Sequence, residues 1–240
     1  MTEPAELLPA FLDAQQRTIA LVGSVAEALG EGMSERDGVA LAQERAKAAG
    51  FSGWFHPPRV RFGAPMQMRP TDRPRSSPPL QQGAVVELEL APCTDQAFGH
   101  SGISFAFATA AQPVIVDHAR ELCRGVIGYS SRYKCTGELF VFAQAWTNNR
   151  RGNLGGQDSV GYQVRGPGLP GPWPLTTRAW SLLRRNQVQY YNPRRMNGIY
   201  VVRPRAAIEG AGALFAEMIL VTPEQKLILG RESLDQVGQR

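Results

Sequence analysis

The chain has 240 residues, a formal net charge of +5, 43% hydrophobic and 20% charged residues. These proportions are those of an ordinary globular protein with room for a sizeable core, and they exclude disorder, collagen-like and disulfide-scaffold classes. No apolar run approaches the ~20 residues that span a bilayer, so no membrane partner is expected. The start, MTEPAELLPAFLDAQQ, is acidic and lacks a signal pattern, and Cys93, Cys123 and Cys135 have no metal-type spacing. A reduced, cytoplasmic setting is the expectation.

Apolar residues at Leu8, Phe11, Leu12, Ile19, Val22, Ala26 and Leu29 predict an amphipathic helix over residues 5–29. Ser34, with Asp37 three residues on, signals the N-cap of a second helix running to about Ala49 and stopping at Gly50. A short strand at Val60–Phe62 stands inside a Pro-rich loop. Residues 85–108 then read as two strands. Alternation in this hairpin places Glu87 and Glu89 on one face with His100, Gly102 and Ser104, opposite an apolar face that includes Leu88, Ile103 and Phe105.

The second half repeats this plan. A helix over 114–128 precedes a second one capped by Thr136 and ending near Gly152, and a Gly/Pro/Trp loop leads to strands at 199–203, 213–221 and 225–229. Two halves, 5–110 and 111–235, of a single α+β domain with a pseudo-twofold layout are expected, a mainly antiparallel sheet being covered by helices. Ten arginines and one acid, Asp158, occupy residues 150–205, which makes that region a positive field.

Six fragments in order resemble the methionine aminopeptidase, aminopeptidase P and creatinase family, from about residue 8 to 230: EGMSERD, VRFGAP, LQQGAVVELELAP, GHSGISFAF, GIYVVRP and GALFAEMILVT. The resemblance implies the pita-bread fold and, from family dimers, a homodimer. The family's peptidases hold two metal ions through Asp, Asp, His, Glu and Glu, and this chain departs from that set. The first Asp falls on Glu89, and eleven residues later His100 stands in place of the second. The metal-binding His falls on Tyr162, and the two Glu fall on Arg203 and on Ala216 beside Glu217; an additional catalytic His falls on Phe62. A guanidinium stays protonated at any working pH. At an effective dielectric of ~20, a unit charge 4 Å away costs it about 4 kcal/mol, and a divalent ion doubles that. No metal and no other cofactor are therefore expected.

Each of these residues has a functional and a structural reading. Glu89 and His100 are either an acid–base pair on the old metal floor or a decayed pair that satisfies buried polar groups. Glu87 reads as a solvated strand end. Arg203 either anchors a substrate anion or forms an ion pair with Glu89 or Glu217. Tyr162 either donates to substrate or packs. His56 and Trp54 are expected at the mouth of the pocket, and His118 reads as structural. The run RRNQVQYYNPRR has the composition of a nucleic-acid surface, but stands within a folded region.

Two functions remain open. One is a metal-independent enzyme using acid–base chemistry on a small carboxylate-bearing molecule, as a lyase, a hydrolase or a condensing or cyclising enzyme. In it Glu89, His100 and Tyr162 are catalytic, and Arg203, Glu217, Phe62, His56 and Trp54 bind substrate. The other is an inactive pita-bread module that contacts an acidic protein or RNA through residues 150–205.

Overall fold

The computed structural model describes residues 4–63, 78–165, 183 and 186–236. The first half runs α1 (Pro4–Ala28), α2 (Glu35–Ala48), β1 (Gly53–Trp54), β2 (Arg59–Phe62), β3 (Val85–Leu90), β4 (Pro92–Cys93) and β5 (Ser101–Ala106). The second runs α3 (Val114–Tyr129), α4 (Thr136–Asn148), β6 (Gly161–Arg165), β7 (Gly198–Val202), β8 (Arg205–Ile208), β9 (Ala211–Leu214), β10 (Glu217–Val221) and β11 (Lys226–Ile228), then a short 3-10 turn at Leu234–Gln236.

The helix signals are realised as hydrogen bonds. Ser34 Oγ accepts from the Asp37 N–H, and the Asp37 carboxylate accepts from the Ser34 N–H, so α2 starts on a reciprocal cap. In α4 the cap is Cys135 rather than Thr136: Glu138 accepts from the Cys135 N–H, and Thr136 is already the first helical residue. Helix α4 ends at Asn148, short of Gly152.

The expected strand at 213–221 is two strands. β9 pairs with β8 across a turn in which Glu209 and Gly210 both have positive φ, and β10 begins only after Phe215 and Ala216. Strands β6 and β8 stand where the sequence analysis places no strand: β6 alternates Tyr162 and Val164 with Gln163 and Arg165 over only five residues, and β8 carries no alternation. The Gly/Pro/Trp loop lies outside the described residues.

Two antiparallel sheets carry the repeat. One has the order β2-β3-β5 and the other β6-β7-β10, with β11 added beside β10. They meet where Gly102 and Ala216 exchange both backbone hydrogen bonds at 2.9 Å. A Cβ on Gly102 would stand 2.9 Å from Leu214 Cδ2 and 3.0 Å from Ala216 Cβ, so this junction accepts no side chain. Each of the two junction residues lies opposite a counterpart in its own sheet. Gly102 faces Glu89. Extending the β7–β10 register by one residue past Val202↔Glu217 places Arg203 opposite Ala216. Glu89 and Arg203 are thus pseudo-twofold equivalents, brought to the sheet junction by the repeat itself.

All four helices pack on one face, α1 through its C-terminal half. Val22, Val25, Ala42, Leu122, Val126, Leu139 and Ala143 join Val60, Leu88, Ile103, Val202 and Ile219 in the main core. Alternation sends the intervening strand residues, Glu87, Glu89, Val201 and Met218, to the opposite face. A second cluster there joins Phe11 and Ala14 of α1 to Phe55, Phe98, Val201 and Met218.

The positive field of residues 150–205 is smaller than the arginine count implies. Arg205 is fully buried and pairs with Glu87, which is itself 1% exposed, so Glu87 is no solvated strand end. Arg203 pairs with Glu89.

Candidate functional site

Glu89 is the centre of the far face. It is fully buried, and four N–H groups converge on its carboxylate. Oε1 accepts from His100 Nε2 at 2.9 Å and from Arg203 Nε at 2.7 Å. Oε2 accepts from Arg59 Nη1 at 2.6 Å and from Arg203 Nη2 at 3.0 Å. Arg203 therefore binds in the bidentate fork geometry that is the strongest carboxylate contact available to a side chain. Burial pushes the Glu89 pKa up, but Arg203, Arg59 and His100 together hold it well below the ordinary 4.5.

His100 stands just before β5, diagonal to Glu89 rather than opposite it, because Glu89 registers with Gly102. Its backbone is clamped to α1. Gln15 Oε1 accepts the His100 N–H at 2.7 Å, and Gln15 Nε2 donates to the His100 carbonyl at 3.0 Å. Gly99 makes this approach possible: a Cβ there would meet Thr18 Oγ1 at 2.1 Å and the Ala14 carbonyl oxygen at 2.5 Å.

The hydrogen bonds determine the tautomer of His100. An ionised Glu89 only accepts, so His100 Nε2 carries a proton and donates it. Burial lowers the His100 pKa below 6.5, outweighing the opposing pull of Glu89, and the ring is neutral. Nδ1 is then an acceptor, and the Tyr162 hydroxyl 2.9 Å away donates to it. Tyr162 lies in β6 opposite Val201, stacked on Phe55 with ring centroids 5.9 Å apart. Burial drives its own pKa far above 10. The result is a directed chain, Tyr162 to His100 to Glu89, closed at its end by two guanidiniums.

His56 completes the cluster. Its ring meets that of His100 edge-on, with centroids 5.0 Å apart. Burial lowers its pKa to about 3.

Of the eight residues expected at the site, the structure brings together Glu89, His100, Tyr162, Arg203 and His56. The other three lie elsewhere. Glu217 is on the helix-side face of β10, paired with Arg231 at 2.8 Å. Phe62 is 7% exposed in the main core, and half-buried Trp54 packs against the same core. Glu217 and Ala216 are neighbours in sequence, but β alternation sends them to opposite faces.

Sequence reasoning missed Arg59 and Gln15. Arg59 was legible in principle: it is two residues before Arg61 in a strand whose intervening positions, Val60 and Phe62, are apolar. Gln15 carries no such signal, because nothing local ties a glutamine on α1 to a loop 85 residues away.

One ring nitrogen each of His56 and His100 and a Glu89 oxygen lie within 4.8 Å of one another, the only such donor trio among the described residues. The two-metal centre implied by the resemblance does not fit them. A carboxylate has about four lone-pair directions. At Glu89 all four already take N–H donors, three of them from guanidiniums.

No protein-family model matches the chain, and no curated protein matches it. Solved structures do. The prolidase from Pyrococcus furiosus superposes with a TM-score of 0.72 at 15% identity, over 95% of this chain and 64% of its own. The X-Pro aminopeptidase from Thermotoga maritima gives 0.71 at 14% identity, over 93% of this chain and 60% of its own. The chain thus spans less than two thirds of the length of these two proteins. The methionine aminopeptidase from Thermotoga maritima gives 0.69 at 15% identity, and there the match covers 93% of this chain and 98% of the other. With the paired sheets, the four helices on one face and the charged cluster at the sheet junction, these superpositions show that the chain has the pita-bread fold of the aminopeptidases and prolidases.

Proposed function

We propose that this protein is an enzyme that uses the pita-bread floor for acid–base chemistry without a resident metal, on a small molecule with an anionic group. The observation that carries the reading is the hydrogen-bond chain Tyr162–His100–Glu89. The Tyr162 oxygen takes a proton from substrate as its own proton passes to His100 Nδ1, and the imidazolium so formed is stabilised by Glu89. In reverse, the chain delivers a proton to a leaving group. Positioned proton transfer of this kind contributes typically 10²–10⁴-fold. Arg203 binds Glu89 through Nε and Nη2, and its Nη1 makes no hydrogen bond with the described residues, a cationic donor that supports an anionic substrate. The reactions within reach are C–N or C–C cleavage and the reverse condensation or ring closure. The solved structures that share the fold carry peptidase names, so hydrolysis belongs to the same set.

The test is turnover of a pool of small carboxylic acids followed by mass spectrometry, with wild type, Tyr162→Phe and His100→Ala, each with and without a chelator. Wild type is expected to consume an acid regardless of chelator, and both variants to be slower by the factor above. Turnover that stops with chelator and returns with a divalent ion overturns the reading.

A second reading rests on a different surface. Tyr133, Tyr190 and Tyr191 are 66%, 51% and 87% exposed, near Arg132, Arg194 and Arg195. Exposed rings interleaved with arginine suit stacking on single-stranded RNA. Salt-sensitive RNA binding that disappears in an Arg194→Gln/Arg195→Gln variant would favour a binding module.

A further inference from the structure

A cleft of about 580 Å³ opens between the start of α3, the end of α4 and the β8–β9 turn, and none of its lining residues belongs to the Glu89 cluster. Its volume is that of a small-molecule site. Val114, Ile115, Ile208 and Ala211 supply an apolar lining, and Val114 keeps 67% of its surface exposed. Three charged residues line the same cleft. Arg150 is already engaged: its guanidinium lies 3.6 Å from the centre of the Trp146 ring, and Nη2 is 3.8 Å from Glu121. Arg151 and Glu209 differ from it. Neither side chain makes a hydrogen bond or an ion pair with a described residue, and they do not pair with each other.

The backbone at both positions favours other residues. Arg151 has φ 55° and Glu209 φ 51°. The Arg151 N–H donates to the Asn148 carbonyl and the Gly152 N–H to the Thr147 carbonyl, each at 2.9 Å, a helix ending in which the left-handed residue is usually glycine. Glu209 opens the two-residue β8–β9 turn, where Asn, Asp or Gly is usual. The two turns are packed together, since a Cβ on Gly152 would stand 2.5 Å from Ile208 Cγ1. One cleft thus carries an unpaired cation, an unpaired anion and an apolar lining. A ligand with one charge answers only one of these groups. We propose that the cleft binds a small apolar zwitterion, such as a free branched-chain amino acid. Arg151 takes its carboxylate, Glu209 its ammonium group, and the aliphatic chain lies against Val114, Ile115, Ile208 and Ala211. This binding is independent of the chemistry at Glu89.

Methyl NMR on wild type at neutral pH tests this by titration with four compounds. L-Leucine carries both charges and a branched chain, 4-methylpentanoate lacks the ammonium group, 3-methylbutylamine lacks the carboxylate, and L-alanine lacks the branched chain. L-Leucine is expected to shift the Val114, Ile115 and Ile208 signals saturably. Arg151 and Glu209 are exposed, so each single-charge analogue should bind about two- to fivefold more weakly. L-Alanine should bind on the order of tenfold more weakly. Arg151→Gly and Glu209→Asn each supply a residue that the local backbone favours, so both should melt no lower than wild type. Arg151→Gly should erase the advantage of L-leucine over 3-methylbutylamine, and Glu209→Asn its advantage over 4-methylpentanoate. The analogue series on wild type decides the matter even if a variant fails to fold. Absence of saturable shifts at the cleft overturns the proposal, as does equal binding of L-leucine and either single-charge analogue. Saturation seen at Val201 and Met218, on the Glu89 face, and not at the cleft overturns it too.

Discussion

Replacing Glu89 with Gln removes the one carboxylate that four N–H groups share. The amide keeps the shape but offers a single acceptor oxygen and turns two new donors towards Arg59, Arg203 and His100. Arg203 and Arg59 are 11% and 16% exposed, so both guanidiniums would be left mostly desolvated without their counter-charge. Removing one partner of a buried pair costs about 3–5 kcal/mol. For a chain of this size each kcal/mol moves the melting temperature by about 2–4 °C, which puts Glu89→Gln roughly 6–20 °C below wild type. Removing Arg203 as well should return part of the loss, because Glu89→Gln/Arg203→Gln also takes away the buried guanidinium that the carboxylate held in a bidentate pair. The pH dependence follows from the depressed Glu89 pKa. Its contribution is fully present above the ordinary 4.5 and is lost as pH falls through the lower folded-state value. The gap between wild type and Glu89→Gln should therefore stay constant through neutral pH and close only in strong acid. Scanning calorimetry across that range measures it. A variant melting within a degree of wild type at neutral pH would refute the charge argument.

Other expectations follow from the same contacts. Gly99→Ala forces a methyl against Thr18 and the Ala14 carbonyl, and chemical denaturation should show a loss of about 1–3 kcal/mol. Gln15→Leu leaves two backbone groups of His100 without their partners and should cost about 1–3 kcal/mol by the same assay. His56 has a folded-state pKa of about 3, below the ordinary 6.5, so wild type should lose stability relative to His56→Phe as pH falls from 6.5 towards 3. Elemental analysis of protein purified without chelator should find no stoichiometric metal, and added Mn²⁺, Co²⁺ or Zn²⁺ should not raise the melting temperature.

Much of the fold was legible in the sequence because its signals are local. The Ser34–Asp37 cap, the apolar spacing of α1 and α3, and the alternation in Val85–Leu90 depend only on residues a few positions apart. β8 lacked such a signal, since it is four residues long and opens on a buried Arg205, which is tolerated because Glu87 meets it from another sheet. The site was half legible. The eleven-residue step from Glu89 to His100 places both on one hairpin face, and the resemblance added Tyr162 and Arg203.

Only the tertiary structure decided what these residues do to one another. The sequence by itself determined the helix–helix–strand repeat and the face on which Glu89 and His100 lie. It left open whether Arg203 pairs with Glu89 or Glu217, and it placed no role on Arg59 or Gln15. Those depend on contacts 114, 30 and 85 residues apart along the chain, set by how two sheets meet at Gly102 and Ala216. Local patterns report which face of an element is buried. The partner on the other side of that face comes from the packing of distant elements, and here that packing holds a carboxylate between two guanidiniums and a neutral imidazole.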